Sequence, residues 1–420
     1  MQSMTRSTPA ASRRTHSAIT RLCRGLALSR LERFDNGRLV IRDALGVAEY
    51  GDPSADSLVE ISVDDLSFYR DLCVYGSLGA ATAYMDGKWH CRDLTGAFRL
   101  FVNNSEHADG MDHGLARLST RIESLRHWWR RNTLAGSRRN IREHYDLGNE
   151  LFALFLDETM TYSAGIYPAP ESSLFDASVN KLDRICRKLR LGPGDHVLEI
   201  GTGWGSFAIH AARHYGCRVT TTTISDEQHD LAKKRIAEQG LQERIQLLKE
   251  DYRNLKGTYD KLVSIEMIEA VGHENLGTYF GCCSRLLKDD GLMLIQVISM
   301  PDQRYDRYLR NRDFIQRYVF PGSCCPALGA LLEAVKRSTD LKPIHLEDIA
   351  AHYARTLRDW RINFDRREQE ARALGYTDRF IRMWRYYLSY CEAGFAERYL
   401  GNYQIVFARP GNRMEEVGRG

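Results

Sequence analysis

The chain has 420 residues, 43% of them hydrophobic and 27% charged, a balance that fills the cores of two or three domains and excludes wholesale disorder or a disulfide-stapled miniprotein. Its 59 basic and 55 acidic side chains leave a net charge of +4, too small by itself to mark a nucleic-acid binder. No uncharged apolar run approaches the ~18 residues of a spanning helix, and the ten cysteines include no Cys-x-x-Cys, so neither a zinc site nor a secreted disulfide framework is expected.

Residues 1–31 carry Arg6, Arg13, Arg14, Arg21, Arg24 and Arg30 and no acid, which reads as a basic, disordered arm. Apolar and polar residues alternate around turn formers over 37–50 and 57–63, predicting a small sheet. A helix over 68–86, with a glycine-rich stretch from Gly76 to Gly79, completes an N-terminal α+β domain over 32–114. Leu115, Leu118, Ile122, Leu125 and Trp128/Trp129 then recur at spacings of three and four, one face of an amphipathic helix over 115–142 whose other face is arginine. That helix suits docking on anionic phospholipid, an interdomain helix with core tryptophans, or a single-stranded nucleic acid. It leads into a larger domain over 143–420.

From about residue 181, short β-branched runs alternate with helical stretches, the pattern of parallel βα units. Strands are predicted at 196–200, 218–223, 245–249, 261–265 and 292–298, in an order that fits a doubly wound sheet. An Arg- and Tyr-rich helical insertion follows over about 301–340. A strand at 342–346, helices carrying Tyr353 and Trp384, and a last strand at 403–408 close the chain.

The clearest motif is Glu199-Ile200-Gly201-Thr202-Gly203-Trp204-Gly205, a strand running into three glycines and a helix. Such glycines let backbone approach a nucleotide closely, but a dinucleotide site wants its third glycine one residue later. With Glu199 just before the turn, the pattern fits S-adenosylmethionine. The second strand ends Thr223-Ile224-Ser225 with no acid, leaving Gln228 to meet the ribose hydroxyls. Asp251 and Tyr252 after the third strand are placed to hold adenine, or Asp251 simply caps a helix.

Together these features resemble the cyclopropane fatty acid synthase family, which includes the mycolic acid cyclopropane synthases. The resemblance runs through Gly76-Ser77-Leu78-Gly79, Tyr84-Met85-Asp86-Gly87, His144 to Asn149, Met160-Thr161-Tyr162-Ser163, Thr223-Ile224-Ser225 with Gln228, Glu269-Ala270-Val271-Gly272, Tyr318 to Gly322, Tyr387 to Phe395 and Tyr403 to Phe407. It implies a Rossmann-like class I S-adenosylmethionine-dependent methyltransferase core with a helical substrate-binding insertion and a small N-terminal α+β domain. By that resemblance Tyr162, Ser163, Glu199, Gly201, Gly203, Gly205, Thr223, Ile224, Ser225, Gln228, Asp251 and Tyr252 bind the cofactor.

The family moves the sulfonium methyl onto a cis double bond of an acyl chain and removes a proton so that a cyclopropane closes, with bicarbonate as base. The pocket implied here is Ala164, Glu269, Gln296, Ile298 and Tyr353. Ala164 stands where the family has cysteine and Gln296 where it has histidine, so the pocket is less cationic. Cys391 matches a cysteine marked as active in the family and reads more simply as a tunnel wall. Without the family, Glu269 reads as a helix cap or an arginine partner, and His352 as a surface residue. The resemblance further implies an unsaturated phospholipid substrate, a homodimer, no nucleic-acid partner, no metal, and a cytoplasmic enzyme on the inner face of the membrane. Its alternatives are a methyl-branched or methylated unsaturated product, or a protein that binds lipid and cofactor without turnover.

Overall fold

The computed structural model describes residues 17–55, 57–104 and 147–413. The amphipathic helix expected over 115–142, with Trp128 and Trp129, lies outside the described residues, as does the arm up to residue 16. From Ala18 onward the expectation of a disordered arm is overturned: Ala18–Leu31 is a helix, α1, capped where the Ser17 hydroxyl accepts from Ile19 N. Cys23, Ala27, Leu28 and Leu31 recur on one face and are buried, while Arg24 donates from Nε to Asp43 at 2.7 Å. The arginines obscured a helical period that burial of the apolar face rewards.

Helix α1 packs on α2 (Ser67–Met85), which kinks at Gly76, where φ 58 and ψ −137 suit glycine alone. Strands β1 (Arg38–Asp43), β2 (Gly46–Gly51), β3 (Leu58–Val63) and β4 (Trp89–Cys91) form a sheet in the order β2-β1-β3-β4. Helix α3 (Leu94–Asn103) completes this module, its start capped by Asp93 accepting from Gly96 N.

After the short α4 (Asn149–Ala153), α5 (Leu174–Lys188) leads into β5 (His196–Ile200), α6 (Ser206–Tyr215), β6 (Arg218–Thr222), α7 (Asp226–Glu238), β7 (Ile245–Leu248), β8 (Tyr259–Ile265), α8 (Leu276–Leu286) and β9 (Leu287–Ser299). Strands β9, β8, β5, β6 and β7 are parallel neighbours, and the central ones are largely buried because helices cover the faces. Helices α9 (Asp302–Arg310) and α10 (Leu328–Ser338) precede β10 (Lys342–Asp348), and α11 (Ala350–Arg366), α12 (Glu368–Ala373) and α13 (Asp378–Ala396) lead to β11 (Gly401–Ala408). The last strand runs antiparallel between β9 and β10, giving the order β10-β11-β9-β8-β5-β6-β7.

Helix α13 joins the two parts. Its Tyr386 meets Phe98 of α3 edge-on at 4.8 Å and Tyr84 of α2 at 5.5 Å, and its Arg382 donates from Nη2 to the Trp89 carbonyl at 2.7 Å. Glu392, also buried on α13, accepts from Arg358 and Arg361 of α11 and from Thr95 of α3. One apolar core therefore runs from Leu28 to Trp384.

Candidate active site

A cavity of about 1430 Å³ opens where the parallel strands end at their carboxyl edge, the place at which open α/β sheets bind ligands. It exceeds the ~300–1,000 Å³ of a site for one drug-sized molecule, so two reactants can meet inside it.

One arm of the cavity lies over β5, β6 and β7. Gly201, Gly203 and Gly205 all hold positive φ, and a Cβ on Gly201 would come within 3.0 Å of Met267. Gly203 faces open space. Thr223 Oγ1 donates to Gln228 Oε1 at 2.9 Å, which turns the amide nitrogen of Gln228 toward the cavity that both residues line. Ser225 does not line that cavity: it is the N-cap of α7 and accepts from Gln228 N. Asp251 is the cap of the turn at Tyr252–Asn254 and also faces the cavity, beside Tyr252. Its carboxylate takes Arg253 Nε and Nη2 at 2.8 and 2.7 Å. This floor of side-chain-free backbone, with an amide and a carboxylate at its rim, fits the methionine, ribose and adenine of S-adenosylmethionine.

Glu199 and Lys181 face the same arm, both buried. Desolvation pushes the Glu199 carboxyl up to about 8, against a hydrogen bond from Thr221 Oγ1 at 2.6 Å, and brings the Lys181 ammonium down to about 8. Lys181 donates to Ser163 Oγ at 2.9 Å, and Tyr162 shares a 2.8 Å hydrogen bond with Tyr387. Lys181 was missed in the sequence, though its signal is there: it sits in the apolar phase of α5 with Ala177, Leu182 and Ile185.

The second arm holds a carboxylate that the sequence reading missed altogether. Glu266, at the end of β8, adopts φ 46, a left-handed conformation that costs a residue with a side chain roughly 1–2 kcal/mol. Its Oε1 accepts from Ala164 N at 3.1 Å, Gln296 Nε2 at 2.8 Å and Asn402 Nδ2 at 2.7 Å, and its Oε2 accepts from Tyr353 OH at 2.8 Å. Tyr353 lines the cavity and Gln296 lies fully buried behind it, and both serve Glu266 rather than an exogenous anion. Glu269 lies beside them, with Oε1 accepting from Ile298 N at 2.6 Å and Oε2 buried without a partner among the described residues. Burial, then the nearby Glu266, pushes the Glu269 carboxyl up to about 8, so it holds its proton at neutral pH. Of the donors that would hold bicarbonate, Gln296 and Tyr353 are engaged by Glu266 and Ile298 N by Glu269, and Ala164 has no thiol to offer. These residues do not fit that ion.

The orientation of Gln296 is fixed from behind. Lys188 Nζ donates to Gln404 Oε1 at 2.6 Å, Gln404 Nε2 donates to Gln296 Oε1 at 2.9 Å, and the Gln296 amide nitrogen is left pointing at Glu266. Lys188 is itself anchored on Glu347. Cys391 forms cavity wall, and burial raises its thiol far above the ordinary value. It therefore stays protonated, which makes it a poor nucleophile. His352 is half-buried rather than on the surface, its Nδ1 accepting from Tyr167 N at 3.3 Å.

The raised Glu269 carboxyl has a consequence for stability. Between the ordinary value of 4.5 and about 8 the native state keeps a proton that the unfolded chain has released, so increasing pH favours unfolding across that window. Above the ordinary histidine value of 6.5, where the neutral buried His210 no longer opposes the trend, the cofactor-free protein is expected to melt at progressively lower temperature as pH rises toward about 8, and Glu269→Gln to flatten the fall. A calorimetric series over pH checks both, and an identical slope in the variant is the contrary result.

A profile of the mycolic acid cyclopropane synthetase family matches residues 133–405. The chain belongs to this family. Over 383 residues, 89% of the chain and 88% of the relative, it is 38% identical to a tuberculostearic acid methyltransferase of Mycobacterium tuberculosis. It is 35% identical to the cyclopropane-fatty-acyl-phospholipid synthase of Escherichia coli K12 over 87% of the chain and 90% of that enzyme. Among solved structures, a mycolic acid cyclopropane synthase complexed with SAH and CTAB superposes with a TM-score of 0.61 at 28% identity, covering 64% of this chain and 98% of that one. The Rossmann-like class I methyltransferase fold is thereby established, as is dependence on S-adenosylmethionine. The family acts on lipids. Among the described residues, no helix is long and apolar enough to cross a membrane.

Proposed function

We propose that this methyltransferase acts at the membrane surface on a cis double bond in a phospholipid acyl chain, and that its product is a methyl-branched chain carrying a new double bond. The observation that carries this reading is Glu266, a carboxylate built into the pocket where the resemblance expects a dissociable anion. Bound over β5 to β7, S-adenosylmethionine supplies an electrophilic methyl carbon. The protein's residues do the rest. Tyr162, Phe320, Ile298 and Tyr387 line the cavity with apolar and aromatic surface, which holds the alkene in place and keeps water from the carbocation left on the acyl chain after its π electrons bond the methyl carbon.

Oε1 of Glu266 accepts from three donors and Oε2 from one, so the lone pair remaining for a proton is on Oε2, beside Tyr353. That position is tethered and cannot follow the new methyl group. A hydride shift along the acyl chain brings the cation to the methyl-bearing carbon, and loss of a neighbouring proton to Glu266 restores a double bond. The second reading is a cyclopropane, in which no hydride shifts and the added methyl loses a proton as its carbon bonds to the neighbouring cationic carbon. Glu269 and Tyr353, both present, favour it.

Both products gain one CH₂, so mass alone does not separate them. The test is incubation with vesicles of a cis-monounsaturated anionic phospholipid, with and without bicarbonate, followed by proton NMR of the acyl chains. Olefinic signals shifted from those of the substrate, formed at the same rate without bicarbonate, are expected. High-field ring protons would establish the second reading, and dependence on bicarbonate would remove Glu266 as the base.

A further inference from the structure

One residue from each of β10, β11 and β9 makes a polar row across half of the large sheet. Glu347 pairs with Gln404, and Gln404 with Gln296, as direct neighbours in the strand register. The row ends at β8, where Glu266 N donates to the Gln296 carbonyl at 2.8 Å. Beside it along the strands, Ile295, Val297 and Ile405 belong to the apolar core. Gln296 and Gln404 are both 0% exposed, and an amide in such surroundings costs free energy unless its hydrogen bonds are met.

The row has a direction. A lysine ammonium only donates, so Lys188 Nζ, at the end of α5, meets the oxygen of Gln404, at 2.6 Å. That leaves the Gln404 nitrogen for Gln296 Oε1 at 2.9 Å, and the Gln296 nitrogen for Glu266 Oε1 at 2.8 Å and the Ala164 carbonyl at 3.3 Å. Two amide dipoles thus stand head to tail between a buried ammonium and the Glu266 carboxylate. Hydrogen bonds in such a chain polarise one another, and a donor on a carboxylate favours its charged form.

The far end is held by Glu347, which accepts from Lys188 and from Arg184 Nη2, the latter at 2.6 Å, with His345 nearby. Lys181 of α5, Glu269, Tyr353 of α11 and Tyr387 of α13 also face Glu266. Those four line the cavity, whereas Lys188, Gln404 and Gln296 stand behind its lining.

We propose that Lys188 is a positioning residue that acts through Gln404 and Gln296, three hydrogen bonds in all, to hold the Glu266 carboxylate charged from outside the cavity. Its place in the reaction rests on Glu266 being the base, as read above.

The test uses the full chain with Lys188→Met, which removes the ammonium, and with Gln404→Met, which breaks the row and keeps both charges. Each is expected to lower turnover on the unsaturated phospholipid at pH 7 by about tenfold, the effect of weakening one hydrogen bond to a charged group, with S-adenosylhomocysteine binding as in the wild type. The double variant is expected to lose no more than the worse single one, because the two act as one chain. Lys188→Arg, which still only donates, is expected to recover most of the loss. Infrared difference spectra between each protein and its Glu266→Gln counterpart isolate the Glu266 band and need no turnover. A charged carboxylate is expected in the wild type and in Lys188→Arg, and a protonated carboxyl band in the two methionine variants. An unaltered Glu266 band in both methionine variants overturns the proposal. So does a loss of turnover from Lys188→Met that persists undiminished in the Glu266→Gln background, which would make the lysine merely structural. Wild-type turnover in Glu266→Gln, with the infrared changes as expected, sinks the reading of Glu266 as the base and leaves the row's hold on it standing.

Discussion

Glu266→Gln is expected to lower turnover by about 10³-fold, within the range of removing a positioned general base, while cofactor affinity stays within about twofold. The amide keeps the shape that Ala164, Gln296 and Asn402 hold, but it takes no proton. The same change at Glu269 is expected to be far milder at neutral pH, because a carboxyl pushed up to about 8 is already uncharged there and glutamine resembles it. Single-turnover formation of S-adenosylhomocysteine, with cofactor binding measured separately, distinguishes the two glutamates. Wild-type rates in Glu266→Gln together with a dead Glu269→Gln would exchange their roles.

Trp384→Ala is expected to cost about 3–5 kcal/mol of stability, the range for emptying a fully buried large aromatic site. The indole is 0% exposed, stacks on Phe380 at 5.6 Å, and meets Tyr387, Phe155 and Phe152 at 5.2, 5.8 and 6.2 Å. It sits behind Tyr387 on the cavity wall, so activity should fall along with stability. Denaturant midpoints of the two proteins give the stability difference, and Trp384→Phe should recover much of it. A loss under 1 kcal/mol would mean that this core collapses around the gap.

The parallel strands were legible because each is a short run rich in apolar or β-branched residues between helical stretches, a composition that covered sheet faces favour. Gly201, Thr223, Gln228 and Asp251 were legible for a related reason: their positions just beyond strand ends fix what they can reach. Glu266 was not. The pattern that singles out Glu269 passes over a neighbour three residues earlier, and only the left-handed turn at Glu266 swings its carboxylate back toward Gln296 and Asn402. Lys181 and Lys188 could have been found, since both fall on the apolar face of α5, where an unpaired ammonium is costly. The helix at Ala18–Leu31 was hidden by reading charge before period.

Helix α13 carries a lesson about where one domain ends. The sequence sets the N-terminal module apart as a domain of its own, yet the helix bearing Tyr387 and Cys391 on the cavity wall also holds Phe98, Thr95 and the Trp89 carbonyl of that module. Cutting the chain between them would not release a smaller enzyme. It would strip one side of the chamber in which a cation must survive long enough to lose its proton, leaving water as the first base to arrive.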